Sequence, residues 1–291
     1  MGTFNRRIAG VLAVAALLFS GPAFAQMGQP APWQIGMQDA GSPIMAQIHD
    51  FHNFVTAIII VITLFVLALL AWVMIRYNEN RSPVPSRTTH HTMLEVVWTI
   101  VPILILVAIA IPSFRLLFAQ YDFPKADITI NATGHQWYWS YEYPDEDIQF
   151  DSLMLSDNQL EEGQPRLLSV DNEVVVPVGK NVLVQVKSTD VIHDWAVPSF
   201  GVKIDAVPGR LQTTWFRAEQ EGMFYGQCSE LCGRNHAFMP IAVRVVSEEE
   251  YAKWLSETKE AALDDGKSVA EAEPAAETDN GGAEKLAAIE N

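Results

Sequence analysis

Cys228, Cys232, His236 and Met239 lie in one segment, GQCSELCGRNHAFMP (226–240), and these are the only cysteines in a chain of 291 residues. The pattern C-x3-C-x3-H-x2-M gathers two thiols, an imidazole and a thioether, all ligands for a soft metal. A disulfide is the commonest use of two cysteines in an exported protein, but it needs neither the histidine nor the methionine. Zinc sites take thiolate, imidazole or carboxylate and have no use for a thioether. Thiolate, imidazole and a weak methionine instead describe copper electron-transfer sites, of which the mononuclear blue form uses a single cysteine. The surplus thiolate is explained if two thiolates bridge two copper ions, each ion then taking a histidine and one weak ligand. Such a centre needs a second histidine, and only His135 and His193 lie in the same region outside the segment. His193 stands in STDVIHDWAVPSF, just after a β-rich run, and could reach the cysteine loop from a neighbouring edge; spacing alone does not select it.

The elements that must position these residues read as strands. Residues 120–256 contain ADITINATG, LLSVDNEVVVPVG, NVLVQVKST, TTWFRAE, GMFYGQC and PIAVRVVS, short β-branched or aromatic runs separated by Gly, Pro, Asn and Asp. This spacing predicts an all-β sandwich or barrel. A helical pattern follows in SEEEYAKWLSETKEAA, opened by a capping box of Ser247 and Glu250. From 257 to 291 the chain is rich in Ala and Glu and poor in large apolar groups, so a disordered acidic tail is expected.

Upstream the chain is apolar. Residues 1–25 carry Arg6 and Arg7, an apolar run and small residues at Ala23 and Ala25, the form of a cleaved signal peptide. Within 26–119, two uncharged runs predict membrane spans at about 53–76 and 95–117. Pro102 and Pro112 are tolerable in the second span, where neighbouring groups re-satisfy the backbone. The intervening loop holds Arg76, Arg81 and Arg87, which marks its side as cytoplasmic. A helical hairpin with both termini and the β region on the exported side follows.

The net charge of −16 is uneven. Ten of the acidic groups fall between 142 and 173, opposed there by Arg166 alone. Such a field argues against nucleic acid as a partner and attracts a basic protein.

Together, VIHDWAVPSFGVKIDAVPGR, GHQWYWSYEY and GQCSELCGRNHAFMP behind a two-helix hairpin closely resemble subunit II of bacterial and mitochondrial cytochrome c oxidase, over about 44–256. The resemblance implies a cupredoxin-like barrel holding the dinuclear copper centre CuA. Carried over by position, Cys228 and Cys232 bridge the coppers, and His193 and His236 complete their coordination. Met239 and the Glu230 carbonyl are then the weak ligands. The Glu230 side chain is implied to hold a magnesium ion shared with the catalytic subunit, a fitting role for a carboxylate. Trp137 matches the residue through which electrons arrive from cytochrome c, and Glu142, Asp151 and Asp190 match acidic docking positions. Glu95 matches the mouth of a proton pathway into the catalytic subunit.

The expected protein is therefore the electron-accepting subunit of an oxidoreductase in the bacterial cytoplasmic membrane, with its copper domain on the periplasmic side. Its expected partners are catalytic subunit I, subunit III and cytochrome c. Oxygen reduction and proton pumping would occur on the haem-bearing partner, since this chain has no haem motif. Subunit II of quinol oxidases lacks the copper ligands, and the related domain of nitrous oxide reductase lacks the hairpin. A membrane-anchored copper carrier would bind one ion, and a thiol-exchange protein would show a reactive disulfide.

Overall fold

The computed structural model describes residues 28–84 and 86–271, with backbone alone for 262–271. The expected signal peptide and the chain beyond 271 lie outside the described residues. Among the described residues two long helices come first, α1 (Pro43–Arg76) and α2 (Thr92–Tyr121), each long and apolar enough to cross a membrane.

Both helices exceed the expected spans, for a local reason. α1 starts early because Ser42 caps it, accepting the Met45 amide at 3.0 Å while donating to the Phe200 carbonyl at 2.7 Å. Its first turn, with Ile44 and Met45 buried, therefore leans on the β region before the apolar run begins. α2 opens on a reciprocal cap: His91 Nδ1 accepts the Leu94 amide at 3.3 Å, and Glu95 Oε1 accepts the His91 amide at 3.4 Å. Its far end is tied down by Trp215, whose indole N–H donates to the Gln120 carbonyl at 3.2 Å.

Ten strands follow: β1 (Ile128–His135), β2 (Tyr138–Tyr143), β3 (Ile148–Ser152), β4 (Val174–Pro177), β5 (Asn181–Ser188), β6 (His193–Val197), β7 (Val202–Ala206), β8 (Gln212–Arg217), β9 (Gly222–Cys228) and β10 (Pro240–Val246). They form two five-stranded sheets, β3-β2-β1-β5-β8 and β4-β10-β9-β6-β7. β1 with β5 and β4 with β10 pair in parallel, and the other pairs are antiparallel. This is the cupredoxin-like sandwich expected from the sequence.

β1, β2 and β5 alternate buried and half-buried residues, as strands with one core face must. Trp139, Tyr141, Val184, Trp195, Phe216 and Phe224 meet between the sheets. β6 and β10 are buried almost throughout, and beside β10 Ala242 and Tyr225 pack against Val170 and Leu168 of the β3–β4 connection. The segment before α1 is tied to this sheet: the Tyr225 amide donates to the Gly28 carbonyl at 2.8 Å, and the Gly41 amide donates to the Ser199 carbonyl at 2.7 Å.

Among the described residues the C-terminal unit is a single helix, α3 (Glu248–Glu271). It runs past residue 257, where composition predicts loss of order. Glu248, Glu249 and Glu250 suit the positive end of the helix dipole, and Lys253 pairs with Glu257 one turn on at 3.7 Å.

Candidate metal centre

Cys228 is the last residue of β9 and Pro240 the first of β10, and the pairing of Gln227 with Pro240 closes residues 229–239 into a loop. β6 runs beside β9 with Trp195 opposite Cys228, so His193 at the head of β6 stands against that loop.

The donors converge. The Cys228 and Cys232 sulfurs lie 3.8 Å apart and are unbridged. His193 Nδ1 is 3.9 Å from Cys228 Sγ, and His236 Nδ1 is 3.6 Å from Cys232 Sγ. Met239 Sδ lies 3.5 Å from Cys232 Sγ, and the Glu230 carbonyl accepts from Cys228 Sγ at 3.3 Å. His193, Cys228, Cys232 and Met239 are buried, and the ligand atoms of the first three lie within 4.8 Å of one another. All six positions that the resemblance assigns to copper thus meet in one place. His135 does not join them: its ring nitrogens engage Ser140 Oγ at 3.0 Å and Thr189 Oγ1 at 2.9 Å.

The electrostatics favour one thiolate at a time. Burial pushes the Cys228 thiol up, but hydrogen bonds from His193, the Asp194 and Glu230 backbone and His236 outweigh it and bring the group down to about 7. Cys232 is pushed up to about 12, by burial first and then by the charge on Cys228. A bound cation removes that mutual repulsion, since it favours both thiolates together. For His193 burial acts downward, yet its hydrogen bonds to Cys228 and Asp190 hold it above the ordinary value.

A second ring of residues, which the sequence did not single out for the site, fixes these donors. Asp190 Oδ1 meets His193 Nε2 at 2.8 Å, leaving Nδ1 to face the sulfurs. Trp139, filling the core, donates its indole N–H to the Met239 carbonyl at 3.3 Å and sets its ring edge-on to His193. Gly134 leaves room for the imidazole, since a Cβ there would come within 2.8 Å of the ring. A glycine inside a strand was the sequence signal of that approach.

The other expected residues are placed as follows. Trp137 is half-buried: its indole N–H donates to the Cys232 carbonyl at 3.2 Å, and the Arg234 guanidinium lies 5.7 Å from its ring centre. Gln136 Nε2 donates to the same carbonyl at 2.8 Å. The Glu230 side chain is exposed. Asp151 and Asp190 are exposed and Glu142 half-buried, with Asp151 accepting from Ser140 at 2.6 Å and Glu142 from Asn131 at 2.8 Å. Glu95 stands apart from this cluster, in the first turn of α2.

A largely buried pocket of soft donors with its ligands preset can hold a soft metal and change little when that metal gains or loses an electron.

Known proteins are similar to this chain over both its helical and its β regions. Residues 128–246 match the family described as cytochrome c oxidase subunit II, periplasmic domain, and residues 30–116 match its transmembrane domain. A probable cytochrome c oxidase subunit 2 from Rickettsia bellii is 50% identical over 244 residues, 84% of this chain and 90% of that one. The cytochrome c oxidase subunit 2 of Cereibacter sphaeroides is 50% identical over 269 residues, covering 86% of this chain and 89% of its own. The crystal structure of the periplasmic domain of cytochrome oxidase subunit II from Bradyrhizobium japonicum is 63% identical, covers 48% of this chain and 98% of its own, and superposes with a TM-score of 0.45. With one family match over the helical hairpin and another over the β sandwich, this chain is a membrane protein of the cytochrome c oxidase subunit II family.

Proposed function

We propose that this chain is the electron-accepting subunit of a cytochrome c oxidase, taking electrons from cytochrome c at a copper pair and delivering them to a haem-bearing catalytic subunit. The observation that carries the reading is the pair of buried, unbridged sulfurs at 3.8 Å with an imidazole nitrogen facing each. Two thiolates, two imidazoles, a thioether and a carbonyl fit two copper ions; zinc has no use for the thioether. When bound, the copper pair supplies a one-electron store spread over two metals. The protein's part is to hold Cys228, Cys232, His193, His236, Met239 and the Glu230 carbonyl still, and to keep water out.

Trp137 gives the electron its way in, because its indole N–H reaches the carbonyl of Cys232 and joins the ring to a ligand by a short path. Glu142, Asp151 and Asp190 attract a basic cytochrome c towards that face, and the attraction weakens with salt. The Glu230 carboxylate, exposed on the loop, is the residue offered to a shared magnesium ion at the contact with the catalytic subunit. The excess arginine between the helices puts that loop in the cytoplasm and the copper domain in the periplasm of a bacterium.

The test is rapid mixing of the assembled oxidase with reduced cytochrome c. Trp137→Phe is expected to slow copper reduction with copper content unchanged, and the wild-type rate to fall as ionic strength rises, less steeply in Glu142→Gln. Rates indifferent both to the substitution and to salt would contradict the reading.

A further inference from the structure

Asp194 follows His193 on β6, and its carboxylate is buried with neither oxygen in a well-formed hydrogen bond. The residue opposite it on β7 is Asp205, a second carboxylate, which hydrogen-bonds with it only when one of the two is protonated. Its countercharge is Lys203, also on β7, whose Nζ lies 3.3 Å from Asp194 Oδ2. The same ammonium donates to the carbonyl of Ser229 at 3.3 Å. Ser229 sits between Cys228 and Glu230, and its own amide donates to the Asp194 carbonyl at 3.2 Å. One lysine therefore joins three stretches of chain: the strand that carries His193, its neighbour β7, and the first residue of the cysteine loop.

A pair with one buried partner is a poor source of stability, because desolvating the carboxylate offsets most of the attraction, and an apolar pair of the same shape does as well. What it does give is geometry. We propose that Lys203 is a positioning residue for the metal centre: by holding Ser229 against β6, it sets Cys228 and the Glu230 carbonyl at their distances from His193. The inference rests on the copper reading for its consequence but not for the contact itself.

The test uses the full-length chain in detergent, as wild type, Lys203→Met and Lys203→Arg. In the metal-free chain, amide exchange over 229–235 is expected to be about tenfold faster in the Met variant, since a charge-assisted restraint is gone. The Arg variant should return it to the wild-type rate, and the β1–β5 amides should be unaffected in both. After copper loading, the optical and electron spin resonance spectra should shift in the Met variant and return in the Arg variant.

If Lys203→Met misfolds because it strands the Asp194 charge, the double variant Lys203→Met with Asp194→Asn removes that charge and gives the same readouts. Wild-type exchange over 229–235 in the Met variants would overturn the contact, and faster exchange with wild-type spectra would overturn the positioning role. A wild-type chain that fails to take up two coppers would contradict the functional reading alone, with the exchange rates still deciding the contact.

Discussion

The Asp190 carboxylate faces two ways, with Oδ1 on His193 Nε2 at 2.8 Å and Oδ2 accepting the Gln136 amide at 2.7 Å. The first contact makes Nε2 the protonated nitrogen and aims Nδ1 at Cys228; the second ties the same carboxylate to the residue preceding Trp137. Partners of this kind orient a metal-binding histidine and raise its basicity. Asp190→Ala is expected to lower copper affinity by about 10- to 100-fold, read by competition with a chelator of known strength. An unchanged affinity would show that Asp190 serves the surface alone.

His135 predicts a pH effect outside the donor set. Burial is the largest influence on it and holds it below the ordinary histidine value of 6.5, against the raising effects of Asp190 and Asp151; His193 and Lys187 also lower it. The unfolded chain therefore binds more protons in that window. The stability that His135 contributes is complete above 6.5 and is lost as pH falls through that value towards the folded one. Denaturant unfolding of the metal-free chain on either side of that pH should show a shallower dependence in His135→Gln than in wild type. Equal slopes would contradict the assignment.

Glu95 has a structural task, accepting the His91 amide at the start of α2, and a proposed one as the mouth of a proton pathway. Glutamine keeps the acceptor but cannot carry the proton, whereas alanine loses both. Loss of a helix cap costs about 0.5–2 kcal/mol, which affects assembly rather than turnover. In the assembled oxidase, both Glu95→Gln and Glu95→Ala are expected to turn over more slowly than wild type. Wild-type turnover in Glu95→Gln would leave Glu95 a helix cap and nothing more.

Much of the site was legible because its donors sit in one loop: the spacing of Cys228, Cys232, His236 and Met239 already exceeds what a disulfide or a zinc site needs. His193 was not selected by spacing, because its place depends on β6 pairing with β9, a contact between distant parts of the chain. The supporting residues were hidden for the same reason. Asp190 was singled out as a docking position and not as a support for His193, while Trp139 and Lys203 look like a core aromatic and a surface charge until the strands are paired. The alternation that revealed β1, β2 and β5 fails in β6 and β10; at β10 the reason is distant in sequence, since Ala242 packs with Tyr225 against Val170 and Leu168 of the β3–β4 connection.

The measurement that bears most directly on the central claim is the copper content of the full-length chain, purified in detergent and loaded with copper, together with the electron spin resonance of its oxidised form. The account predicts two coppers per chain and a hyperfine pattern from one electron shared equally between two nuclei. A single copper with the pattern of one nucleus, or no copper and a disulfide between Cys228 and Cys232, would contradict it.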